Sequence, residues 1–524
     1  MFRVHSQTPL SIAGEWDRLI VLAHRAPYRH EHGPGGRIAQ TRTASGLVTA
    51  LEPLVGACSG VWVAHSAGGA DNAVVDERCG LNVPPANPRY RLRYVSLDAD
   101  EHCGYYGFAN EALWPLCHAV HVPAVFRSSD FQHYQGATAR FVNAVVSESV
   151  GRSPLILVQD YHFALAPRRL RKALPSSTVV QFWHIPWPHM RIFRTCPWHR
   201  ELLDGMLGSD LVGFQTTEDA DNFIECIRTL LRADTDEQRT ITYRGRTTRV
   251  GVYPVGVDWD NASVRALPTA RVCRAEILRE FDLPDHAWLG IGIDRLDYTK
   301  GLHEKFLAIE RALEIRPPLR GRFMFVQVAE PSRDSLAAYR DARGRLHAVT
   351  ARINGRFGTT SYTPIRLLET HADAEHVYRL YRAADVCHVG SLHDGMNLVA
   401  KEFVHARDDE RGVLLLSEFT GSARQLRTAV LINPYAIDAT AEAIAGACTM
   451  SVAEQSVRMR LMRANARTFD ATWWATRLLE DASTTIRRRG PQHDQQPHEG
   501  IEIALAAQCE ARERSLTPAY TNAE

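Results

Sequence analysis

The sequence predicts an α/β protein made of two Rossmann-like halves, each built on a parallel β-sheet. Short continuous apolar runs alternate with helical patterns along most of the chain, which is typical of strands buried on both faces. The order strand, glycine-bearing loop, helix occurs near the start and again around residues 385–406. The length of 524 residues also exceeds what one hydrophobic core usually organises, so two domains are expected.

Composition restricts the class of protein. The apolar fraction is 45% and the charged fraction 23%, values usual for a globular protein, and the formal net charge of +1 disfavours a nucleic-acid or membrane partner. The ten cysteines form no CxxC pair or Cys/His cluster, so we expect neither a zinc site nor a disulfide framework. No signal-peptide core or run of about eighteen apolar residues occurs, and a soluble, cytoplasmic protein is expected.

The first half contains a series of apolar runs that we interpret as strands. They are residues 18–23, 60–65, 154–158, 178–183, 209–214 and 250–256. Polar clusters follow two of them, Gln159 to His162 and His184 to Pro188, where open α/β sheets place their ligands. In isolation Asp160 could equally be a helix cap and His184 a satisfied buried histidine. The aromatic-rich segment 104–114 is either core or pocket lining.

The second half repeats the pattern. Its predicted strands are residues 288–293, 323–329, 385–390, 413–417 and 429–433, and residues 439–488 are predicted to be helical. We therefore expect an N-terminal domain over residues 1–257, a C-terminal domain with terminal helices over 258–488, and a polar tail over 489–524.

Arg295 and Lys300 flank the turn from the strand 288–293 to a helix beginning near His303. Because the helix dipole already makes that end positive, two cations there favour an anionic ligand. The alternative is that Arg295 simply pairs with Asp297. Arg333 places one more cation after the end of the next strand.

Residues 393–402, with the sequence HDGMNLVAKE, form a glycine loop that leads into a helix. The free N–H groups at such a helix N-terminus create an anion site, and two carboxylates, Asp394 and Glu402, suit sugar hydroxyls. A phosphorylated sugar or a nucleotide is therefore predicted. An ordinary strand-to-helix turn with a solvated acid is the alternative.

Six motifs together resemble the trehalose-6-phosphate synthase family of retaining glycosyltransferases, which have the two-Rossmann-domain GT-B architecture. The resemblance covers roughly residues 18 to 485. The motifs are DYH at 160–162, HIPWP at 184–188, GFQT at 213–216, RLDYTKG at 295–301, RING at 352–355 and DGMNLVAKE at 394–402.

The resemblance implies transfer of glucose from UDP-glucose to glucose 6-phosphate with retention, giving α,α-trehalose 6-phosphate and UDP. It implies that the catalytic residues are Asp160, His184, Arg295, Lys300 and Asp394. The implied donor-binding residues are Gly46, His184, Arg295, Lys300, Asp394, Gly395, Met396, Asn397, Leu398, Val399 and Glu402. The implied acceptor-binding residues are Arg25, Tyr105, Trp114, Asp160 and Arg333, and a one-residue shift would exchange Tyr105 for Tyr106.

No metal and no cofactor are expected, because two cationic side chains replace the divalent ion and no DxD-like cluster stands beside the strands. A homo-oligomer, dimer or tetramer, is expected from the family. The chain departs from the usual motifs at four positions, His24, Ser45, Gln159 and His393. Two of these lie in the loop around both substrates, so the acceptor is less firmly implied than the donor.

Three alternatives stay open. Glucosylglycerol-phosphate synthases, which use glycerol 3-phosphate, share most motifs and an Arg-X-Pro-Tyr sequence such as Arg25-Ala-Pro-Tyr28. A catalytically silent sugar-phosphate sensor would not need the complete set of donor residues. A pseudo-glycosyltransferase that joins cyclitols is less favoured, because such relatives lose parts of the donor motifs.

Overall fold

A computed structural model describes residues 15–43, 46–371 and 373–489 of the chain, which fold into two β-sheets surrounded by helices. Ser45, the first fourteen residues and the tail from residue 490 lie outside the described residues. All nine cysteines in the described ranges are free thiols. None of the helices described is long and apolar enough to cross a membrane.

Twelve strands belong to the first half of the chain, ten in one sheet and two in a separate antiparallel hairpin, β2 and β3. They are β1 Leu19–Leu22, β2 Tyr28–His32, β3 Ile38–Arg42, β4 Val61–His65, β5 Gly80–Val83, β6 Tyr90–Val95, β7 Leu155–Gln159, β8 Thr178–Phe182, β9 Leu211–Phe214, β10 Asp234–Thr235, β11 Thr240–Tyr243 and β12 Arg246–Val252. The sheet order is β10-β11-β12-β9-β8-β7-β1-β4-β6-β5, and only its edge pairs β5–β6, β10–β11 and β11–β12 are antiparallel.

Six strands form the second sheet, in which every pair is parallel. They are β13 Trp288–Arg295, β14 Phe323–Glu330, β15 Ile365–Leu368, β16 Val386–Val389, β17 Val413–Ser417 and β18 Val430–Ile432. Their order, β15-β14-β13-β16-β17-β18, is the 3-2-1-4-5-6 order of a Rossmann sheet. The parallel strands β6-β4-β1-β7-β8-β9 of the first sheet have the same order.

Helices cover the faces of both sheets. Those of the first half are α1 Gly46–Ala57, α2 Ala99–Gly107, α3 Trp114–His118, α4 Ser128–Glu148, α5 Ala166–Ala173, α6 Met190–Phe193, α7 His199–Met206 and α8 Thr217–Cys226. Those of the second half are α9 Ala262–Arg265, α10 Ala270–Glu280, α11 Leu302–Ile315, α12 Ala337–Phe357, α13 Ala374–Ala383, α14 Leu398–Ala406, α15 Ile437–Thr449, α16 Val452–Thr468 and α17 Ala471–Arg489. Shorter 3-10 or π turns connect several of them.

The strand order determines where ligands can bind. In an open α/β sheet the crevice lies outside the carboxyl ends of the strands where the strand order reverses. In the first sheet that point lies between β1 and β7, which end before His24 and Asp160. In the second sheet it lies between β13 and β16, which lead to Lys300 and Asp394.

The last helix, α17, packs on the first sheet although the sequence-based division placed it in the second domain. Its buried residues Trp474 and Leu478 belong to the same apolar cluster as Val21 and Phe182 of the first sheet. Tyr253 after β12 also donates a hydrogen bond to Asp481 of α17 at 2.7 Å. We therefore propose that α17 returns to complete the N-terminal domain. The boundary near residue 257 stays a prediction.

The unpredicted strands are the hairpin and strands at or next to a sheet edge, namely β2, β3, β5, β6, β10, β11 and β15. Their residues are mostly exposed or alternate with polar residues, as in β3, where all five residues are exposed. A search for continuous apolar runs therefore passes over them. The segment 104–114, whose structure the sequence left open, is helical, with a π turn over Phe108–Leu113 between α2 and α3.

Candidate active site

The loop before α14 is built around Asn397, which adopts a left-handed backbone conformation with φ of 82°. Its side-chain oxygen accepts the N–H of Ala400 at 3.2 Å and so caps the helix. Its amide nitrogen donates to Asp394 at 3.2 Å. Asn397 thus leaves the first two helical N–H groups, those of Leu398 and Val399, without a capping side chain. It also fixes the Asp394 carboxylate beside them. Such strained residues concentrate at functional sites.

Lys300 and Asp394 form an ion pair with Nζ and Oδ2 2.5 Å apart. Burial acts to raise the pKa of Asp394, but the charge and hydrogen bond of Lys300 outweigh it and hold that pKa at about 2. Asp394 is therefore an ionised, fixed carboxylate and not the solvated acid of the alternative interpretation. Its backbone N–H donates to Phe419, and its carbonyl accepts from Gly421, which pins the loop from both sides.

Asp297, fully buried at the end of β13, is shared by two of the predicted cations. Its carboxylate lies 3.3 Å from Arg333 and 3.7 Å from Arg295. Although burial acts to raise the pKa of Asp297, Arg333 and Arg295 keep it below its usual value. The pairing of Arg295 with Asp297 thus occurs, but one carboxylate cannot neutralise two arginines. The excess positive charge still favours an anionic ligand.

Trp114 contacts both arginines through its ring face. The guanidinium carbon of Arg333 lies 3.9 Å, and that of Arg295 5.3 Å, from a Trp114 ring centroid. The indole N–H is buried without a hydrogen-bond partner among the described residues. Arg333 also donates to the Tyr161 hydroxyl at 2.9 Å and has a φ of 56°. The structure thus joins two predicted acceptor residues, Trp114 and Arg333, across the two sheets.

Arg25 follows β1 and extends into the same cleft. It forms no ion pair with the described residues, and the charged groups around it include Arg295, Arg333 and Glu330. Although its side chain is exposed to the cleft, desolvation, together with the positive charges of Arg295 and Arg333, lowers the pKa of Arg25 to about 10. Three neighbouring arginines, two of which share the single carboxylate of Asp297, are a suitable site for a phosphate.

Tyr105 and Tyr106 have opposite environments. Tyr105 is fully buried, stacks on Tyr134 at 5.9 Å and contacts Phe141, so it is a core residue. Tyr106 is half-buried, and its ring stacks on that of His102 with the centroids 5.3 Å apart. The Tyr105 hydroxyl lies 3.3 Å from Nδ1 of His24, which precedes Arg25. Which of the two tyrosines contacts the acceptor stays a prediction.

Asp160 directly follows β7 and has a positive φ of 70°. Its carboxylate accepts the backbone N–H of His184 at 3.1 Å and forms no ion pair among the described residues. Burial raises the pKa of Asp160 to about 6, while backbone N–H donors act in the opposite direction. The residue is not a conventional helix cap, because its side chain bonds to the neighbouring strand end instead of the turn that follows it.

Two glutamines occupy both ring nitrogens of His184. Nε2 lies 2.8 Å from the Gln159 oxygen and Nδ1 3.4 Å from the Gln215 amide nitrogen. Burial lowers the pKa of His184 to about 3, so the ring is neutral. Gln159, one of the four departures from the family motifs, therefore sets the tautomer of His184 with Nε2–H as donor.

Three of the predicted donor-site residues, Gly46, Gly395 and Met396, lie where the two halves of the chain contact each other closely. A Cβ on Gly395 would stand 2.2 Å from the carbonyl oxygen of His184, and one on Gly46 would stand 2.4 Å from Leu398. Met396 is buried in the apolar cluster of the first sheet. The central loop therefore approaches the first sheet closely enough that only glycine fits at residue 395.

Glu402 lies one turn inside α14, where its carboxylate accepts the Tyr381 hydroxyl at 3.1 Å. Burial raises the pKa of Glu402. It lies on the same helix as the uncapped amides of Leu398 and Val399, as the resemblance implies for a residue that binds ribose hydroxyls.

His393, another departure from the motifs, bridges the two halves. Its Nδ1 donates to the carbonyl of His118 at 2.6 Å, and His118 in turn donates to the carbonyl of Trp114 at 2.8 Å. The residue thus links the central loop to α3, which carries Trp114. No group of three or more metal-ligating side chains occurs in the described part of the chain.

Several residues that contact or adjoin the predicted site residues were missed or left without a role in the interpretation of the sequence. Asp297, Tyr161 and Tyr106 orient or adjoin the arginines, and His393 joins the halves. Asp297 and Tyr161 lie inside the motifs quoted above, so the motifs themselves contained that signal. The placement of Tyr106 depends on the phase of α2, which the sequence did not reveal.

Comparison with known proteins agrees with this geometry. The sequence model of glycosyltransferase family 20 matches residues 17–484. The trehalose-6-phosphate synthase of Mycobacterium avium (strain 104) is 36% identical over 483 residues, 90% of this chain and 96% of the relative.

Solved structures agree as well. An α,α-trehalose-phosphate synthase (UDP-forming) from Burkholderia xenovorans in complex with glucose-6-phosphate is 32% identical, with a TM-score of 0.78 over 89% of this chain and 100% of that chain. The E. coli protein bound with UDP-2-fluoro glucose is 31% identical, with a TM-score of 0.79 over 89% of this chain and 99% of that chain. The fold is therefore GT-B, and the chain belongs to glycosyltransferase family 20.

Proposed function

We propose that the protein is a retaining glucosyltransferase that transfers glucose from UDP-glucose to glucose 6-phosphate, forming α,α-trehalose 6-phosphate and UDP. The observation that carries the proposal is the convergence of Arg295, Lys300 and the N-terminus of α14 beside the fixed carboxylate of Asp394. The relatives with solved structures bind UDP-2-fluoro glucose and glucose-6-phosphate, the two substrate types that this cleft would hold.

The donor side is suited to stabilise a departing diphosphate. As the glycosidic bond to UDP breaks, negative charge grows on the phosphate oxygens and positive charge grows on the anomeric carbon. The positive charges of Arg295 and Lys300 and the amides of Leu398 and Val399 stabilise the first charge more in the transition state than in the ground state. Gly46 and the backbone of Gly395 to Asn397 surround the sugar and diphosphate, and Glu402 takes the ribose hydroxyls.

Asp394 is the residue proposed to hold the hydroxyls of the transferred glucose. Because Lys300 keeps it ionised, it accepts hydrogen bonds without taking up a proton. His184, neutral and fixed by two glutamines, lies next to Gly395 and would contact the same sugar. The phosphate that leaves would assist deprotonation of the acceptor on the same face, so no carboxylate nucleophile is required.

The acceptor side is proposed to use Arg25, Arg333, Trp114 and Tyr106 around the phosphate and Asp160 at the sugar hydroxyls. Tyr106 is proposed here in place of Tyr105 because Tyr106 is half-buried, whereas Tyr105 is fully buried. The pKa of Asp160 near 6 leaves a carboxylate at neutral pH that can accept a hydroxyl proton in a hydrogen bond.

A matrix of donors and acceptors with product identification tests the proposal. We expect UDP release to be fastest with UDP-glucose and glucose 6-phosphate, and the product to be α,α-trehalose 6-phosphate. Faster turnover with glycerol 3-phosphate would instead establish a glucosylglycerol-phosphate synthase. Binding of UDP-glucose without turnover on either acceptor would establish the sensor.

We also propose that the reaction needs no metal or cofactor, because cationic side chains supply the charge that a divalent ion provides elsewhere. Activity unchanged by excess EDTA is the expected result, and a loss of activity that Mg²⁺ restores would contradict it.

A cytoplasmic homo-oligomer, dimer or tetramer, is proposed from the family. Sedimentation at micromolar concentration measures the assembly.

A further inference from the structure

Four histidine rings stack face to face on the acceptor side of the cleft, where they form what we call the histidine column. Its members, in stacking order, are His162, His24, His65 and His102. The successive ring centroids lie 4.4, 5.5 and 4.8 Å apart, and the interplanar angles are 1°, 14° and 16°. The rings come from four separate places in the chain: the ends of β1, β4 and β7, and helix α2.

The column consists of neutral rings. Burial, reinforced by His162, His65 and Arg25, lowers the pKa of His24 well below its usual value. Burial and His102 lower the pKa of His65 to about 4. Because neutral rings do not repel one another, they can stack this closely beside Arg25. The column is therefore not one more phosphate-binding cation.

The two ends of the column touch the residues that surround the proposed phosphate site. At one end His162 packs on Tyr161 at 4.1 Å, and the Tyr161 hydroxyl accepts from Arg333. At the other end His102 stacks on Tyr106 at 5.3 Å. In the middle, His24 immediately precedes Arg25 and contacts Tyr106 at 6.0 Å.

Hydrogen bonds fix two of the rings as well. The Nδ1 of His65 lies 3.2 Å from the carbonyl of Val95, so it carries the proton. The hydroxyl of the core residue Tyr105 lies 3.3 Å from Nδ1 of His24. Buried Tyr105 therefore contacts the histidine column through His24.

We propose that the histidine column is a positioning element for the acceptor, and that His24 is its central residue. The column holds Arg25 and Tyr106, which the first half contributes, at a fixed distance from Arg333, which the second half contributes. A phosphate monoester is then held by a preformed set of donors. The inference rests on the proposed function, because it concerns the acceptor of that reaction.

The test compares His24→Ala, which removes the middle ring, with His24→Phe, which keeps a flat ring but no ring nitrogen. We expect His24→Ala to raise KM for the acceptor on the order of tenfold or more, since two stacked contacts are lost. The affinity for UDP, measured by calorimetry, should stay within about twofold because the donor residues are untouched. His24→Phe should restore most of the acceptor KM.

Two results would overturn the proposal: an acceptor KM that neither variant changes, or UDP affinity that falls in parallel with acceptor affinity. If His24→Ala does not fold, His102→Ala and His102→Phe make the same comparison at the half-buried end of the column. The acceptor KM of each variant is compared with that of the parent for both glucose 6-phosphate and glycerol 3-phosphate. If the proposed function is wrong, the unsubstituted chain does not turn over glucose 6-phosphate. If only the positioning role of the histidine column is wrong, the acceptor KM of the variants equals that of the parent.

Discussion

Arg295 is the residue whose proposed role depends most directly on charge. It is a quarter exposed, faces the cleft, and shares Asp297 with Arg333. Removing a preorganised charge that acts mainly in the transition state should lower kcat on the order of a hundredfold or more in Arg295→Ala. The control is Arg460→Ala, whose side chain is 66% exposed and pairs with Glu410 away from the cleft. Near-normal kcat in Arg295→Ala would refute the assigned role.

Protonation of Asp160 should make the reaction slower at low pH, which appears as an acid limb in the pH–rate profile. Burial raises its folded-state pKa to about 6, so the carboxylate is ionised above that pH and protonated as the pH falls through it. We expect kcat/KM for the acceptor to fall below about pH 6. The second ionisation of a phosphate ester also has a pKa of about 6, so its effect on the profile must be distinguished from that of Asp160.

Asp160→Asn makes that separation, since the substrate keeps its phosphate. The variant should be slower at all pH values, and its profile should lose the part of the acid limb that belongs to Asp160. The pH–rate profiles of parent and variant, recorded between pH 5 and 8, provide the comparison. An identical limb in both proteins would mean that Asp160 does not titrate in this range.

At the scale of single elements, helix α14 is tied to the first half by a buried lysine. Lys401 is 1% exposed, and its Nζ donates to the carbonyl of Val255 at 2.6 Å with no carboxylate partner among the described residues. Burial lowers its pKa to about 7. The unfolded chain has the ordinary lysine pKa of about 10.4 and binds more protons between these values. The contribution of Lys401 to the free energy of unfolding therefore increases as the pH rises above 7, by at most about 1.4 kcal/mol per pH unit.

Lys401→Met should remove this dependence. Between pH 6.5 and 9 the melting temperature of the parent should rise relative to that of the variant, because the buried ammonium loses its proton. Lys172→Met, at an exposed position on α5, is the matched control and should follow the parent. A constant difference between parent and Lys401→Met across this range would show that Lys401 keeps its charge in the fold.

The whole molecule depends on the close approach of the central loop to the first sheet. A Cβ at residue 395 would meet the carbonyl oxygen of His184 at 2.2 Å, and backbone cannot yield as a side chain can. Gly395→Ala should therefore keep both halves folded but separate them. We expect kcat to fall about a hundredfold, since displacement by about 1 Å costs that much.

Small-angle scattering and thermal melting measure this outcome. The radius of gyration of Gly395→Ala should increase while its melting temperature changes little. Gly446→Ala, in α15 with no atom within 4 Å of the added carbon, should behave like the parent. Unchanged turnover in Gly395→Ala would show that the contact with His184 is not needed in catalysis.

The sequence by itself determined the fold class and the main parallel strands, and it predicted the donor-site residues. Buried parallel strands are continuous apolar runs, and motif residues such as Arg295, Lys300 and Asp394 follow the strands or open the helix directly. Local order along the chain is therefore enough to find them. The polar edge strands and the hairpin were missed, because their exposed residues carry no continuous apolar signal.

Only the tertiary structure decided which side chains meet across the two sheets. The phase of α2 leaves Tyr106 half-buried and Tyr105 fully buried, and α17 returns to the first sheet after the second is complete. The histidine column draws its rings from four distant segments, and Asp297 meets Arg333 only because β13 and β14 are neighbours. These contacts depend on packing between residues far apart in the chain, which no local periodicity encodes.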